Sequence, residues 1–322
     1  GLHRYIDPSD GRVYLYTQYE PADCRRVFPN FEQPDLKAVF NFRITAPRDW
    51  VVSSNGVLES EVSDPTDSNI VKRVFAPTER ISTYITAVLA GEYFTVTDTY
   101  KPQSITNSGD IPLVAYCRHS LKPHFDYDNI FRVTKNGLDF FQDLFDYPYP
   151  YPKYEQAFVP EYNIGAMENP GLVTFTEDFI FVSGATEDDL EGRANTICHE
   201  MAHMWFGDLV TMKWWDDLWL KESFADFMGA LGAIEANGFN DAWVTFANHR
   251  KSWAYLQDQL PTTHPIVADI PHLEAAAQNF DGITYAKGAS TLKQLVSYVG
   301  FDTFIEAARV YFKRFAWGNT SL

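Results

Sequence analysis

Cysteine is scarce in this sequence: Cys24, Cys117 and Cys198 are the three in a chain of 322 residues. So few, so widely spaced, exclude a disulfide framework, and a reducing, cytoplasmic setting is expected. Positive charge is short as well. Lys and Arg number 26 against 43 Asp and Glu, a formal net charge of −17, which argues against nucleic acid or an anionic membrane surface as a partner. No apolar run approaches the roughly 18 residues that would span a bilayer. The first residue is not methionine, so any signal peptide would lie outside the sequence given. Low-complexity tracts and internal repeats are also lacking. What is there is a globular composition, 45% hydrophobic and 16% aromatic, long enough for two ordinary domains with large buried surfaces.

The first part reads as β structure. In LKAVFNFRITAP, Phe40, Phe42 and Ile44 alternate with Asn41, Arg43 and Thr45, the period of a half-buried strand. VYLYTQYE, WVVSSNG and IVKRVFAP repeat that pattern between Pro, Asp, Asn and Ser punctuation. A boundary is expected near Gly91–Thr95, giving domains of 1–93 and 94–322. The second part is mixed. LVAYCRH, YEQAFVPEY and LVTFTEDFIFV predict strands, and IFRVTKNGLDFFQDLF a helix. A further helix is predicted from an N-cap at Thr186 to a stop at Gly207, with three acids in its first turn. Another is predicted from near Asp217 to just before Gly238. Helices are also expected over 241–257, 283–299 and 303–314.

The chemistry concentrates in CHEMAHMWFG, Cys198–Gly207. On a helix, His199 and His203 point about 40° apart, close enough for both imidazoles to reach one ion. Glu200 sits on the flank of that face, where a carboxylate can take a proton from water polarised by the ion. Two core histidines by coincidence is the plainer explanation. A chance H-E-x-x-H in a chain this long is roughly a one-in-a-hundred event. Glu222, in WLKESFADF, follows His203 by 19 residues on the next predicted helix. Two His and one Glu leave a fourth position open, the arrangement of a catalytic zinc site. Cys198 points about 100° from His199 and reads as a small buried residue. Asp226, one turn after Glu222, either orients a ligand histidine or is a helix-surface acid.

With Glu222 in place, HEMAH resembles the gluzincin metallopeptidases. GAMENPG, Gly165–Gly171, is similar to the exopeptidase signature of the aminopeptidase N family within that clan. TQYE at 17–20, RRVFPNFEQPDLKAVF, WWDDLWLKESFA and FDGITYAKGAS at 280–290 follow in the family's order, so the likeness runs from end to end. It implies an α+β fold: an N-terminal all-β saddle domain, incomplete at its start, then a thermolysin-like domain of mixed sheet and helices. A C-terminal helical domain is expected to be absent from this sequence. One Zn2+ per chain is implied on His199, His203 and Glu222, with Glu200 as base and Tyr285 as donor to the tetrahedral intermediate.

The same resemblance assigns the substrate's free amine to Glu168 and Glu20. An α-amine has a pKa of about 7.7–8.0, so much of it is cationic at neutral pH. Gly165 and Ala166 would offer backbone groups along an edge strand, and Ile164, Phe280 and Gln18 would line the pocket for the first side chain. Neutral and aliphatic residues are the expected preference, with aromatic and basic ones open. The implied partners are peptides with a free N-terminus, met by a monomer. A thermolysin-like endopeptidase would keep the zinc ligands but lack GAMEN. An epoxide hydrolase with aminopeptidase activity would share most of these motifs. A non-catalytic scaffold would have lost zinc ligands, and the intact set speaks against it.

Overall fold

The computed structural model describes residues 1–103 and 109–322. Alternating patterns in the first part become two small antiparallel sheets. One has β1 (Leu2–Ile6), β2 (Val13–Thr17), β7 (Val88–Gly91) and β4 (Val51–Ser54) in the order β1-β2-β7-β4. The other orders β3 (Arg43–Pro47), β6 (Ile70–Phe75) and β5 (Leu58–Ser63) as β3-β6-β5. Ala46, Val52, Phe75 and Ala90 form a small core of their own, drawn from strands of both sheets. Phe40 and Phe42 are half-buried while Asn41 and Arg43 are exposed, so the alternation read from the sequence is the alternation of burial.

Sheet membership changes between Gly91 and Tyr93. From there β8 (Tyr93–Tyr100), β9 (Ile111–Arg118), β10 (Tyr154–Val159), β11 (Ala166–Met167) and β12 (Val173–Thr176) build a mixed sheet ordered β11-β12-β10-β9-β8. β9, β10 and β12 are mutually parallel and the two outer pairs antiparallel. Every residue of β10 and β12 is buried, as central strands covered on both faces must be. The helices are α1 (Tyr127–Phe145), α2 (Glu187–His203), α3 (Trp219–Glu235), α4 (Ala242–Thr245), α5 (Ser252–Asp258), α6 (Leu273–Ala277), α7 (Gly288–Val299) and α8 (Phe301–Phe315). π-helical turns at Phe246–Lys251 and Ile283–Lys287 lead into α5 and α7. A two-residue parallel pair, β13 (Thr211–Met212) with β14 (Asn319–Thr320), ties the last residues to the loop after α2. The expected α+β architecture, a β-rich part followed by a mixed sheet with helices, is the one observed.

Two expectations need correction. LVTFTEDFIFV stops being a strand at Thr176, because the Thr176 side chain accepts from the Asp178 N–H and starts a tight turn over Glu177–Phe179. The helix through the histidines ends at His203, short of Gly207. Beyond it Asp208, Leu209 and Val210 donate to carbonyls five residues back, of His203, Met204 and Trp205, and Gly207 takes φ 133°, where a helix cannot continue. β11 is the edge strand that the resemblance implied, whereas α6 and the short strands β13 and β14 were not expected from the sequence. They are too brief to show a period.

Candidate active site

α2 begins where its sequence says it must. Thr186 accepts from the Asp189 N–H at 3.1 Å, and Asp189 accepts from the Thr186 N–H at 2.8 Å, a closed capping box. Its last two turns bring His199 and His203 onto one face, with their Nε2 atoms 3.1 Å apart. α3 packs across α2 and delivers Glu222, whose Oε2 lies 3.5 Å from His199 Nε2 and 3.3 Å from His203 Nε2. The Phe206 carbonyl stands 2.9 Å from His203 Nδ1. A carbonyl only accepts, so the proton belongs on Nδ1 and the Nε2 lone pair faces the other two donors. Burial pushes the His199 pKa down, which also favours a neutral ring.

This donor set fits a zinc ion. Ligand atoms held about 2.0–2.1 Å from a tetrahedral centre stand about 3.3 Å from one another, and the three separations here bracket that value. Glu222 Oε2 is buried with no hydrogen-bond partner among the described residues, an expensive state for a carboxylate oxygen unless a cation satisfies it.

Behind the triad lies a residue for which the sequence raised no expectation. Lys221 is fully buried, and its Nζ lies 2.6 Å from Glu20 Oε1, Glu168 Oε1 and Glu222 Oε1 alike. Burial opposes its charge, but Glu168, Glu20 and Glu222 outweigh that and hold its pKa well above the ordinary lysine value. Burial likewise works against ionised Glu222, yet Lys221 and His203 outweigh it and keep that carboxyl well below the usual range. Glu20 and Glu200 go the other way. Burial raises both, and neighbouring carboxylates add to the effect. The charged WLKES run was the available signal for Lys221. Nothing in it says that the lysine points inward.

The site opens into a cavity of about 660 Å³ that reaches Gln18, Glu20, Ile164–Ala166, Glu168, Phe280 and Tyr285 as well as the triad and Glu200. The residues singled out from the sequence therefore share one space. Gly165 and Ala166 sit at the outer edge of the mixed sheet, where Ala166 pairs with Phe175 of β12. Gln18 accepts from the Tyr162 hydroxyl at 2.6 Å. The Tyr285 ring lies parallel to His199, 7° between planes at 6.1 Å between centres. Burial, reinforced by Glu222, holds its phenol well above the ordinary pKa. Asp226 does not hydrogen-bond His199, since its Oδ1 is 3.8 Å from Nδ1. It pairs instead with Arg250, another residue the sequence did not flag. Cys198 is fully buried and faces away from the triad, its Sγ accepting from Asn237 at 3.6 Å.

Residues 130–322 match the peptidase family M1 domain, and residues 1–85 the peptidase M1 N-terminal domain. The chain is 54% identical to an aminopeptidase N of Streptomyces lividans over its full length, which is 36% of that protein. It is 35% identical to a probable aminopeptidase 2 of Sulfurisphaera tokodaii, over 98% of this chain and 39% of the relative. Identity to the aminopeptidase N of Homo sapiens is 34%, over 99% of this chain and 33% of the relative. The chain thus spans between 33% and 39% of the length of these relatives.

Proposed function

Because the chain belongs to peptidase family M1, we propose that it carries the active site of a zinc-dependent aminopeptidase that removes the first residue from peptides with a free N-terminus. The observation that carries this reading is buried charge. Glu20, Glu168, Glu200 and Glu222 gather around a single ammonium, that of Lys221. A dication on His199, His203 and Glu222 and the ammonium of one substrate would together bring that cluster to neutrality. An internal peptide segment has no charge to offer it and would leave carboxylates buried without a partner.

Zinc, when bound, would supply Lewis acidity toward a water and toward the substrate carbonyl. Glu200 is the base. It takes the proton of the attacking water on its carboxylate and passes it to the departing amine, and burial beside Glu168 and Glu222 strengthens its hold on that proton in between. Tyr285 donates from its phenol to the oxygen on which charge develops; its high pKa keeps the donor protonated at neutral pH. Glu168 and Glu20 hold the α-ammonium. The edge strand at Gly165–Ala166 aligns the substrate backbone as an added strand. Ile164, Phe280 and Gln18 border the first side chain, and the apolar pair favours neutral and aliphatic residues.

The same reading divides the chain at residue 93, supported by the change of sheet between Gly91 and Tyr93. It takes a single copy as the active unit; Glu20, Glu168, Glu200, the triad and Tyr285 of this chain line one cavity. A cytoplasmic setting is supported by the three buried free thiols.

The test is metal analysis of the full-length protein together with a panel of aminoacyl fluorogenic substrates. One zinc per chain is expected, with activity on alanyl and leucyl substrates that a chelator removes and added zinc restores. N-acetylated counterparts should resist cleavage. Efficient hydrolysis of the acetylated peptides would overturn the exopeptidase assignment, and full activity after the metal is stripped would overturn the zinc site.

A further inference from the structure

Arg250 stands on the cavity wall, in the π-helical turn Phe246–Lys251, with its side chain 38% exposed. Its contacts are more specific than a rim charge requires. Nη2 donates to Asp226 Oδ1 at 2.6 Å and Nε to Asp226 Oδ2 at 3.2 Å, so the guanidinium fork is held at two points. Thus fixed, it lies 5.6 Å from the centre of the Tyr285 ring and 5.0 Å from that of Trp253. Tyr285 turns its ring parallel to His199, and Asp226 stands one helical turn after Glu222 on α3. The four side chains His199, Tyr285, Arg250 and Asp226 close a ring drawn from α2, α3 and both π-helical turns.

We propose that Arg250 is a positioning residue that sets the phenol of Tyr285 for the reaction, an inference that rests on the aminopeptidase reading above. The Tyr285 hydroxyl makes no hydrogen bond among the described residues, so its direction depends on what holds the ring. The contact to His199 is loose for a stack at 6.1 Å, and Trp253 meets the ring at a 43° tilt. The guanidinium is the one charged group over the ring among the described residues, and an arginine over an aromatic face is attracted by the ring quadrupole. The same positive charge favours negative charge building on the phenol oxygen, which makes the O–H a stronger donor toward an oxyanion. Lysine could not replace it: only the planar fork grips Asp226 at two points while presenting its face to an aromatic ring. Both Arg250 and Tyr285 occupy π-helical turns, which re-aim side chains and recur at functional sites.

The experiment is a double-mutant cycle in the full-length zinc enzyme, with a leucyl fluorogenic substrate and zinc content measured for each variant. Arg250→Met is expected to lower kcat roughly tenfold, with KM and zinc content little changed. Arg250→Lys should recover only part of the loss. In a Tyr285→Phe background, Arg250→Met should cost almost nothing further, because the hydroxyl it positions is gone. A merely structural role would cost the same factor in both backgrounds, and that additivity would overturn the proposal. A pure rise in KM would overturn it too and make Arg250 a substrate contact. If Arg250→Met does not fold, the cycle is read with Arg250→Lys, which keeps the stem and the charge. Should Tyr285→Phe alone retain full kcat, the role of Tyr285 falls and the proposal with it; a slow Tyr285→Phe with additive losses removes the proposal alone.

Discussion

Lys221 and Glu222 are adjacent in the chain and in contact in space, yet their partners come from three separate places: β2's end, the edge strand and α2. A buried lysine touching three carboxylates is stable only while all of them are present. Removing one member of a buried ion pair leaves uncompensated charge and costs about 3–5 kcal/mol. Lys221→Met should therefore lower the free energy of unfolding by at least that order, read from urea titration of the full-length protein, and should loosen the grip on zinc because Glu222 loses the contact at its Oε1. An unchanged urea midpoint would show that the carboxylates are relieved by other means. The residue scale also shows what a sequence can tell. His199, His203 and Glu200 were legible because one helix sets their mutual geometry locally. Glu20 and Glu168 came only through family resemblance. Arg250 stayed hidden because its partner Asp226 is 24 residues away, a relation that no period encodes.

Between residues and molecule stand the helices that bring the donors together. The N-terminus of α2 was predictable from Thr186 and the acids after it; its end was not, since wider hydrogen bonds after His203 and the turn at Gly207 depend on the loop they join. α3 and α7 meet at a point where no side chain fits. A Cβ built on Gly288 would lie 1.9 Å from Ser223 Oγ, and that hydroxyl donates to the Thr284 carbonyl at 2.6 Å, one residue before Tyr285. This contact locks the helix that carries Glu222 to the turn that carries Tyr285. Gly288→Ala must push them apart, although alanine is the better helix former by about 1 kcal/mol. The expected result is a net loss of stability of about 1–3 kcal/mol, from overpacking, with a fall in kcat larger than any change in KM. Thermal unfolding and steady-state kinetics on the same preparation check both. A stabilised variant would mean that the two elements move apart without strain.

At the scale of the whole molecule, the site straddles the join between the β-rich part and the mixed sheet. Gln18 and Glu20 follow β2, whereas the triad, Glu168 and Tyr285 belong to the other side. Strand patterns announced both parts, but no pattern states which faces meet, because that is decided by pairs more than a hundred residues apart. One of them is Asp7, fully buried just after β1. It accepts from Ser120 Oγ at 2.5 Å and from Arg118 Nη1 at 2.9 Å, across the join. Burial resists its charge, but the bonds from Ser120, Ser9 and Arg118 prevail and hold its carboxyl well below the usual carboxylate range. A folded pKa below the unfolded value of about 3.9 means that Asp7 stabilises the fold above that pH and loses the effect as pH falls through its own lower pKa. Asp7→Asn keeps the shape and removes the charge, while Arg118 retains Glu177. The variant should be less stable than the parent by about 1–3 kcal/mol near neutrality, with the gap constant from about pH 5 to 8 and closing below about pH 4. Urea midpoints measured across that range decide it. A gap of the same size at about pH 3 as at about pH 7 would mean that the lost acceptor oxygen rather than the charge of Asp7 joins the two parts, and the placement of Glu20 beside Lys221 would then need another cause.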